Sequence, residues 1–217
     1  MAWLNRLGRN YISASRLSMS SAVVLPHVSI GLVNPKTPIN VQGIMRASGC
    51  YGVNSVFYTG RRYELAARNM GAQYQADTKN AASYIPLTGV ECLLDHIPEG
   101  AKIVCVDLVL GATALPEFVH PENAYYIFGP EDGTISQAII DKADAVVYVP
   151  TVGCMNLAAS VNVLLYDRLA KQYLTERADA DACPQLKSGD ALIRQSRDTN
   201  NRVRVKKPHY RSIKQAN

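Results

Sequence analysis

Short runs of apolar and β-branched residues alternate with longer helix-like stretches across residues 27–173. Such alternation is typical of a sheet whose strands are connected by helices that cover both of its faces. Strands are predicted at residues 28–33, 55–59, 102–108, 125–128 and 145–149, with a weaker one at 73–76. Helices are predicted at residues 41–50, 63–70, 89–96, 136–142 and 156–174. The pattern therefore predicts an α/β fold with a mostly parallel sheet flanked by helices.

The chain changes character after its long final helix. Residues 175–188 contain several acids and Pro184, and Gly189 follows, which favours the end of a folded domain in this stretch. Three regions are predicted: a basic N-terminal extension at residues 1–25, one domain at 26–175 and a basic C-terminal extension at 176–217.

Charge is distributed unevenly along the 217 residues, whose formal net charge is +5. Residues 1–25 hold three arginines and no acid, and residues 185–217 hold nine Lys or Arg against two Asp. Basic segments of this kind bind polyanions because they release the counterions condensed on phosphates. The charge alone is equally consistent with solvated tails.

The five cysteines are widely spaced and include no C-x-x-C pair. This spacing favours reduced thiols in an intracellular protein over a disulfide framework or a zinc site. No apolar run approaches the length of a membrane span. We therefore expect no membrane partner, no metal and a cytoplasmic location. The Arg- and Ser-rich stretch up to Ser21, well before the first acid at Glu64, keeps a mitochondrial location as the alternative.

Two motifs follow predicted strands, at the strand ends where ligands bind in parallel sheets. The first places Asn40 at a helix start and Arg46 later on the same helix. The second, I-F-G-P-E-D-G-T, ends a strand with Gly129, which permits close approach of a ligand, and then presents Glu131 and Asp132. Taken singly, each residue also fits a structural role: Asn40 as a helix cap, Arg46 as an exposed helix residue and Asp132 as a helix-start carboxylate.

A third motif, V-P-T-V-G-C-M-N-L-A-A-S at residues 149–160, leads into the final helix. Asn156 stands there among small and apolar residues, and a buried amide must find hydrogen-bond partners. We therefore expect Asn156 to be buried and functional, with a structural cap of the helix as the alternative.

Together and in this order, the motifs resemble the signature blocks of the SpoU (TrmH-like) methyltransferases of the SPOUT superfamily, over about residues 28–173. The first block of that family has an asparagine six residues before an arginine, as Asn40 and Arg46 stand here. The second is a strand ending F-G-x-E, matched by residues 128–131. The third is usually written I-P, S-L-N-V-S and L-Y-E, and its counterparts are residues 149–150, 154–158 and 165–167.

The resemblance implies a SPOUT fold in which the C-terminal segment forms a deep trefoil knot. It implies that S-adenosyl-L-methionine (SAM) binds in that knot, at the ends of three strands, and that two copies form a homodimer through the knot and the final helix. The implied cofactor-binding residues are Val106, Leu108, Gly129, Val149, Cys154, Met155 and Leu157. Cys154 and Ala158 depart from the family because they stand in place of two serines, and a thiol is only a weak hydrogen-bond donor.

The implied activity is that of an RNA (ribose-2′-O)-methyltransferase, which transfers a methyl group from SAM to a ribose 2′-hydroxyl of tRNA or rRNA. The implied catalytic residues are Asn40, Arg46, Glu131 and Asn156. Arg46 would orient a phosphate and stabilise developing alkoxide charge, because its guanidinium is always protonated, while the other three would position groups by hydrogen bonds.

Two other function classes are weighed against this activity. Because two family serines are replaced, the alternative is a catalytically silent RNA-binding protein of the same fold. A nucleotide-phosphate-binding enzyme is disfavoured, since neither a G-x-G-x-x-G nor a Walker pattern follows a strand.

Overall fold

The structure, a computed structural model, describes residues 26–70 and 84–178, together with Ile193 and Val203. The chain divides into two compact units, one ending at Arg168 and the other beginning at Leu169. The predicted strand at 73–76, the N-terminal extension and most of the C-terminal extension lie outside the described residues, and the domain limits at 26 and 175 stay predictions.

Seven strands and four α-helices make up the described part of the chain. The strands are β1 (Val28–Leu32), β2 (Ser55–Tyr58), β3 (Leu87–Gly89), β4 (Lys102–Val106), β5 (Thr113–Ala114), β6 (Ala124–Phe128) and β7 (Ala145–Tyr148). The helices are α1 (Pro38–Tyr51), α2 (Arg62–Met70), α3 (Gln137–Ile140) and α4 (Leu157–Ala178). Two short 3-10 helices are formed by Leu93–His96 and Leu115–Glu117.

The seven strands form one sheet in the order β3-β2-β1-β6-β4-β7-β5. Every strand pair in it is parallel. Parallel strands connected by helices are covered on both faces, and all five residues of both β1 and β6 are accordingly buried. The carboxyl ends of β6, β4 and β7 are therefore neighbours at one edge of the sheet.

The core consists of two apolar clusters, one on each face of the sheet, because successive side chains of a strand point to opposite faces. In β6, Tyr126 and Phe128 belong to the cluster that also contains Ile44 of α1 and Leu164 of α4. The second cluster contains the alternate residues of β6 and β4 together with Leu93 and Ile135, which pack against them: Leu93, Ile103, Cys105, Tyr125, Ile127 and Ile135.

Helix α1 owes its limits to two residues at its ends. Pro38 is its first residue, where the missing N–H costs nothing and the fixed φ suits a helix. Gly52 stops it in the left-handed conformation at φ 69°, with its N–H donating to the carbonyl of Ser48. Asn40 is consequently held in the first turn, directly after the loop that leaves β1.

A buried polar network fixes α4 against the loop that precedes β6. The His120 side chain, only 5% exposed, lies 2.9 Å from Asp167 through Nε2 and 2.7 Å from the Tyr126 hydroxyl through Nδ1. Arg168 donates to the Tyr126 hydroxyl at 3.1 Å and to the carbonyl of Pro121 at 2.6 Å. The acid of the L-Y-D sequence thus anchors the helix that begins at Leu157.

The five stronger predicted strands are confirmed, but two features of the fold differ from the prediction. β3 and β5 are strands of three and two residues, too short to produce an alternating pattern. The predicted helix at 89–96 is wrong: Gly89 ends β3 and Cys92 is extended, so only Leu93–His96 is helical, and that as a 3-10 turn. A Cβ at Gly89 would lie 2.9 Å from the Tyr58 hydroxyl, which explains a glycine in that strand.

Candidate active-site cleft

A cleft of about 430 Å³ opens at the carboxyl ends of β4, β6 and β7 and at the start of α4. This is the position where open parallel sheets bind ligands, and the volume falls within the usual range for small-molecule sites. The cleft is lined by ten of the eleven residues proposed from the sequence, all but Arg46: Asn40, Val106, Leu108, Gly129, Glu131, Val149, Cys154, Met155, Asn156 and Leu157.

Asn40 lies at the centre of a chain of hydrogen bonds that joins the three sequence motifs. Its Nδ2 donates to Glu131 Oε1 at 3.1 Å, and its Oδ1 accepts from Asn156 Nδ2 at 2.6 Å. Both polar atoms of this amide are used, although the residue is only 7% exposed. Asn40 is therefore not a helix cap, since its side chain connects two loops on either side of α1.

Glu131 holds the loop between β1 and α1 in place. Its Oε2 accepts from the backbone N–H of Lys36 at 2.8 Å and its Oε1 from the N–H of Thr37 at 2.9 Å. Partial burial by itself would raise the pKa of this carboxyl, but the hydrogen bonds from Lys36, Thr37 and Asn40 outweigh it and hold the pKa below its usual value. Glu131 is consequently ionised at neutral pH, next to the positive end of α1.

We expect Glu131→Gln to lower the free energy of unfolding by about 1–3 kcal/mol, because a glutamine has one carbonyl oxygen where three donors need two acceptor atoms. Urea titration at pH 7 measures this difference. Since the pKa is lowered in the folded state, the carboxylate stabilises the fold above its ordinary pKa, and this contribution is lost as the pH falls through the lowered value. The gap between wild type and variant should therefore shrink in acid, and a gap that stays constant with pH would contradict the assignment.

Asn156 caps helix α4 and donates to the centre of the same network. Its Oδ1 accepts from the N–H of Ala159 at 3.2 Å, the interaction of a helix cap, while its Nδ2 donates to Asn40. The expectation that Asn156 is buried is wrong, because the residue is exposed at the mouth of the cleft. The Asn156 amide therefore forms its hydrogen bonds from an exposed position in the site and not from the core.

Asp107, which the sequence interpretation did not select, shapes the floor of the cleft. It follows β4, and its carboxylate accepts from the N–H of Leu108 at 2.7 Å and from the N–H of Ile135 at 2.8 Å. A Cβ on Gly129 would lie 3.0 Å from Asp107 Oδ2, so the absence of a side chain at Gly129 lets the two strand ends approach each other. The signal in the sequence was an acid directly after a buried strand.

Asp132 is not a helix-start carboxylate, since α3 begins only at Gln137. It forms ion pairs with two cations instead, Arg62 at 2.9 Å and Lys36 at 3.4 Å. Hydrogen bonds from Arg62 are the main reason that the pKa of Asp132 is lowered. No pattern in the sequence indicates Lys36 or Arg62, because these two residues come together with Asp132 only in the folded chain.

Arg46 lies outside the cleft. It is exposed on α1 and does not belong to the cleft lining. A helix advances about 1.5 Å and turns about 100° per residue, which places Arg46 about 9 Å further along α1 than Asn40 and on another face. The structure therefore places Arg46 outside the cleft that Asn40, Glu131 and Asn156 line.

No group of three or more His, Cys, Asp or Glu side chains within the described ranges could hold a metal ion. The described helices include none long and apolar enough to cross a membrane.

Several solved structures share this fold. The SpoU methyltransferase AviRb from Streptomyces viridochromogenes, in complex with AdoMet, is 16% identical with a TM-score of 0.56, over 70% of this chain and 63% of AviRb. The A. aeolicus TrmH/SpoU tRNA modifying enzyme is 17% identical with a TM-score of 0.56, over 78% of this chain and 87% of that one. An RNA 2′-O ribose methyltransferase is 17% identical with a TM-score of 0.54, over 76% and 62%.

This chain thus spans less than two thirds of the length of AviRb and of the RNA 2′-O ribose methyltransferase. No curated protein matches it significantly. The sequence profile of the SpoU rRNA Methylase family matches residues 27–166, well over half of the chain and all of the motifs that form the cleft. This match shows that the chain belongs to the SpoU rRNA methylase family.

Proposed function

We propose that this chain is an RNA (ribose-2′-O)-methyltransferase that uses SAM as the methyl donor and tRNA or rRNA as the substrate. The observation that carries the proposal is the hydrogen-bonded chain from Glu131 through Asn40 to Asn156. It joins the three family motifs at the mouth of one cleft. Family membership and the AdoMet complex of AviRb support the choice of cofactor.

The residues of the cleft fit such a cofactor. Apolar side chains at the strand ends, such as Val106 and Val149, and Leu157 at the start of α4 provide surfaces that can enclose an adenine ring. Gly129 also lines the cleft, and the absence of a side chain there lets the Asp107 carboxylate lie close to the end of β6. When bound, SAM supplies an electrophilic methyl group for transfer to a nucleophilic oxygen.

The chain's own residues would act mainly by positioning, since methyl transfer requires the acceptor oxygen in line with the donor. Glu131 and Asn156 hold Asn40 between them, and Asn40 in turn fixes the first turn of α1. Arg46, on the same helix, would contact an RNA phosphate and stabilise the charge that develops on the ribose oxygen. Its exposed position suits a residue that acts on the acceptor.

The proposal includes a trefoil knot formed by the segment after β7 and a homodimer formed through α4. Helix α4 presents the apolar side chains of Val163, 38% exposed, and Tyr166, 62% exposed. Exposed apolar side chains on one helix are typical of a protein interface. Light scattering in solution measures the mass of the assembly directly.

Calorimetric titration with SAM, followed by transfer of a tritiated methyl group to tRNA and to rRNA, tests the activity. Saturable binding and labelled RNA support the enzyme, and nuclease digestion to 2′-O-methyl nucleosides identifies the ribose. Binding of SAM without transfer to either RNA would favour a silent RNA-binding protein, for which Cys154 and Ala158 in place of serines are the observation. Absence of SAM binding would contradict the proposal.

We expect SAM to protect Cys154 from alkylation by iodoacetamide. Cys154 is exposed and lines the cleft, so a bound cofactor would shield its thiol, and at ten times its Kd it should slow the reaction about tenfold. Cys50 is also exposed but lies outside the cleft lining, and it serves as the internal control in the same digest. Equal protection of both thiols, or of neither, measured by peptide mass spectrometry, would place SAM elsewhere.

A further inference from the structure

Two cations from separate parts of the chain converge on one carboxylate at the rim of the cleft. Arg62, the first residue of α2, donates from Nη1 and Nη2 to the two oxygens of Asp132 at 2.9 and 3.0 Å. Lys36, from the loop before α1, donates from Nζ to Asp132 Oδ2 at 3.4 Å. Lys36 and Asp132 both line the cleft. We refer to these three residues as the rim triad.

The two carboxylates at this rim are bound in different ways. Glu131 accepts from backbone N–H groups and from Asn40, and so belongs to the scaffold of the site. Asp132, the next residue, accepts from the ends of two long side chains, those of Lys36 and Arg62. Removing the Asp132 charge would therefore leave the scaffold intact and release two cations.

The geometry of the rim triad is that of an anion site. The planar fork of a guanidinium binds carboxylate and phosphate alike through two parallel N–H donors, and an ammonium adds a third donor. Asp132 supplies the two oxygens here. A phosphodiester group also offers two charged oxygens in a similar arrangement, so it can take the same donors once the carboxylate turns away.

The rim triad is open to solvent, and this makes such an exchange feasible. The side chains of Lys36, Arg62 and Asp132 are 59%, 32% and 50% exposed. Ion pairs of this exposure contribute little to folding, because water and salt screen them. The three residues carry a net charge of +1, and this total is unchanged when the exposed Arg61 and the ionised Glu131 beside them are included. The rim consequently attracts a polyanion even while Asp132 is in place.

We propose that Lys36 and Arg62 bind a phosphodiester group of the RNA beside the target nucleotide, and that Asp132 holds both cations in position until the phosphate displaces it. The inference rests on the proposed RNA substrate, and it specifies where that RNA meets the cleft. Asp132 thereby acts as an internal competitor, so that the cations are oriented before RNA binds but are released only to an anion that brings further contacts.

Binding of fluorescent bulk tRNA by anisotropy, across a series of salt concentrations, tests this. Arg62→Ala should weaken binding and reduce the slope of log K against log salt by roughly 0.7–0.9, the loss of one phosphate contact. Lys36→Ala should act in the same direction, because its backbone N–H to Glu131 remains. Arg68→Ala is the matched control, an exposed arginine near the other end of α2 that pairs with Glu64.

Asp132→Asn distinguishes a carboxylate that competes with phosphate from one that forms a purely structural ion pair. If Asp132 competes with phosphate, its neutralisation should tighten RNA binding severalfold and steepen the salt dependence, whereas loss of a structural ion pair would weaken binding or leave it unchanged. The inference is overturned if Asp132→Asn fails to tighten binding, if Arg62→Ala behaves as Arg68→Ala does, or if the wild type does not bind RNA. SAM titration and methyl transfer by the wild type report on the proposed activity separately, because anisotropy needs no turnover.

Discussion

Replacing Arg46 with alanine is expected to lower methyl transfer about 100- to 1000-fold, the usual effect of removing one preorganised group that stabilises developing charge. The affinity for SAM should stay unchanged, because Arg46 lies outside the cleft lining. Radiometric assay of single turnovers, with SAM and RNA saturating, measures the chemical step, and calorimetry measures the cofactor affinity. Turnover close to that of wild type would remove Arg46 from the mechanism.

Two further variants show whether the effect of Arg46→Ala comes from the loss of this particular guanidinium. Arg46→Lys keeps a positive charge but loses the planar fork, and we expect it to recover only part of the activity. Arg68→Ala removes another exposed arginine from a neighbouring helix and should leave turnover intact. A loss of SAM affinity in Arg46→Ala would instead indicate that α1 itself is disturbed.

If Arg46 acts on the ribose as proposed, it serves either the cleft of its own chain or, in the proposed homodimer, the cleft of the partner. Mixing Arg46→Ala with a variant defective in its own cleft distinguishes these routes. If Arg46 serves the cleft of a partner, mixed dimers recover activity that neither parent has. If it serves its own cleft, the mixture stays inactive.

The central strands could be predicted because burial on both faces leaves an unmistakable apolar run. β1 and β6 are buried along all five residues, and β6 is an uninterrupted apolar stretch, while in β1 only Ser29 and Gly31 interrupt the apolar residues. The edge strands β3 and β5 lack this signal, since they are short and their residues are mostly half-buried or exposed. β3 and β5 are strands because they pair with β2 and β7, and no local pattern in the sequence predicts such a pairing.

The cleft could be predicted from linear motifs, but its internal contacts could not. The family resemblance implies Asn40, Glu131 and Asn156 as site residues, whereas the hydrogen bonds that join them depend on strand ends meeting in space. Residues that lie outside the motifs escaped selection altogether. Asp107 accepts a hydrogen bond from the N–H of Ile135, 28 positions further along the chain, and an acid after a strand does not predict so distant a partner.

Asn156→Ala is expected to weaken SAM binding and to lower methyl transfer about 100-fold, since a displacement of about 1 Å in a positioned group has effects of this size. The substitution removes two interactions at once. The N–H of Ala159 loses its acceptor at the start of α4, and the buried Asn40 loses the donor to its Oδ1. Together these changes should lower the free energy of unfolding by about 1–3 kcal/mol, measured by urea titration.

Asn156→Asp distinguishes the cap from the network, because the two interactions use different atoms of the same amide. An aspartate at this position still accepts from Ala159, and its charge suits the start of a helix, so the free energy of unfolding should remain near that of wild type. It has no donor for Asn40, and its oxygen instead faces the Asn40 Oδ1 across the 2.6 Å contact. SAM affinity and methyl transfer should therefore fall in Asn156→Asp nearly as far as in Asn156→Ala. Should Asn156→Asp bind SAM and methylate RNA as wild type does, Asn156 would be a helix cap alone, and the link between the first and third motifs would have no part in the activity.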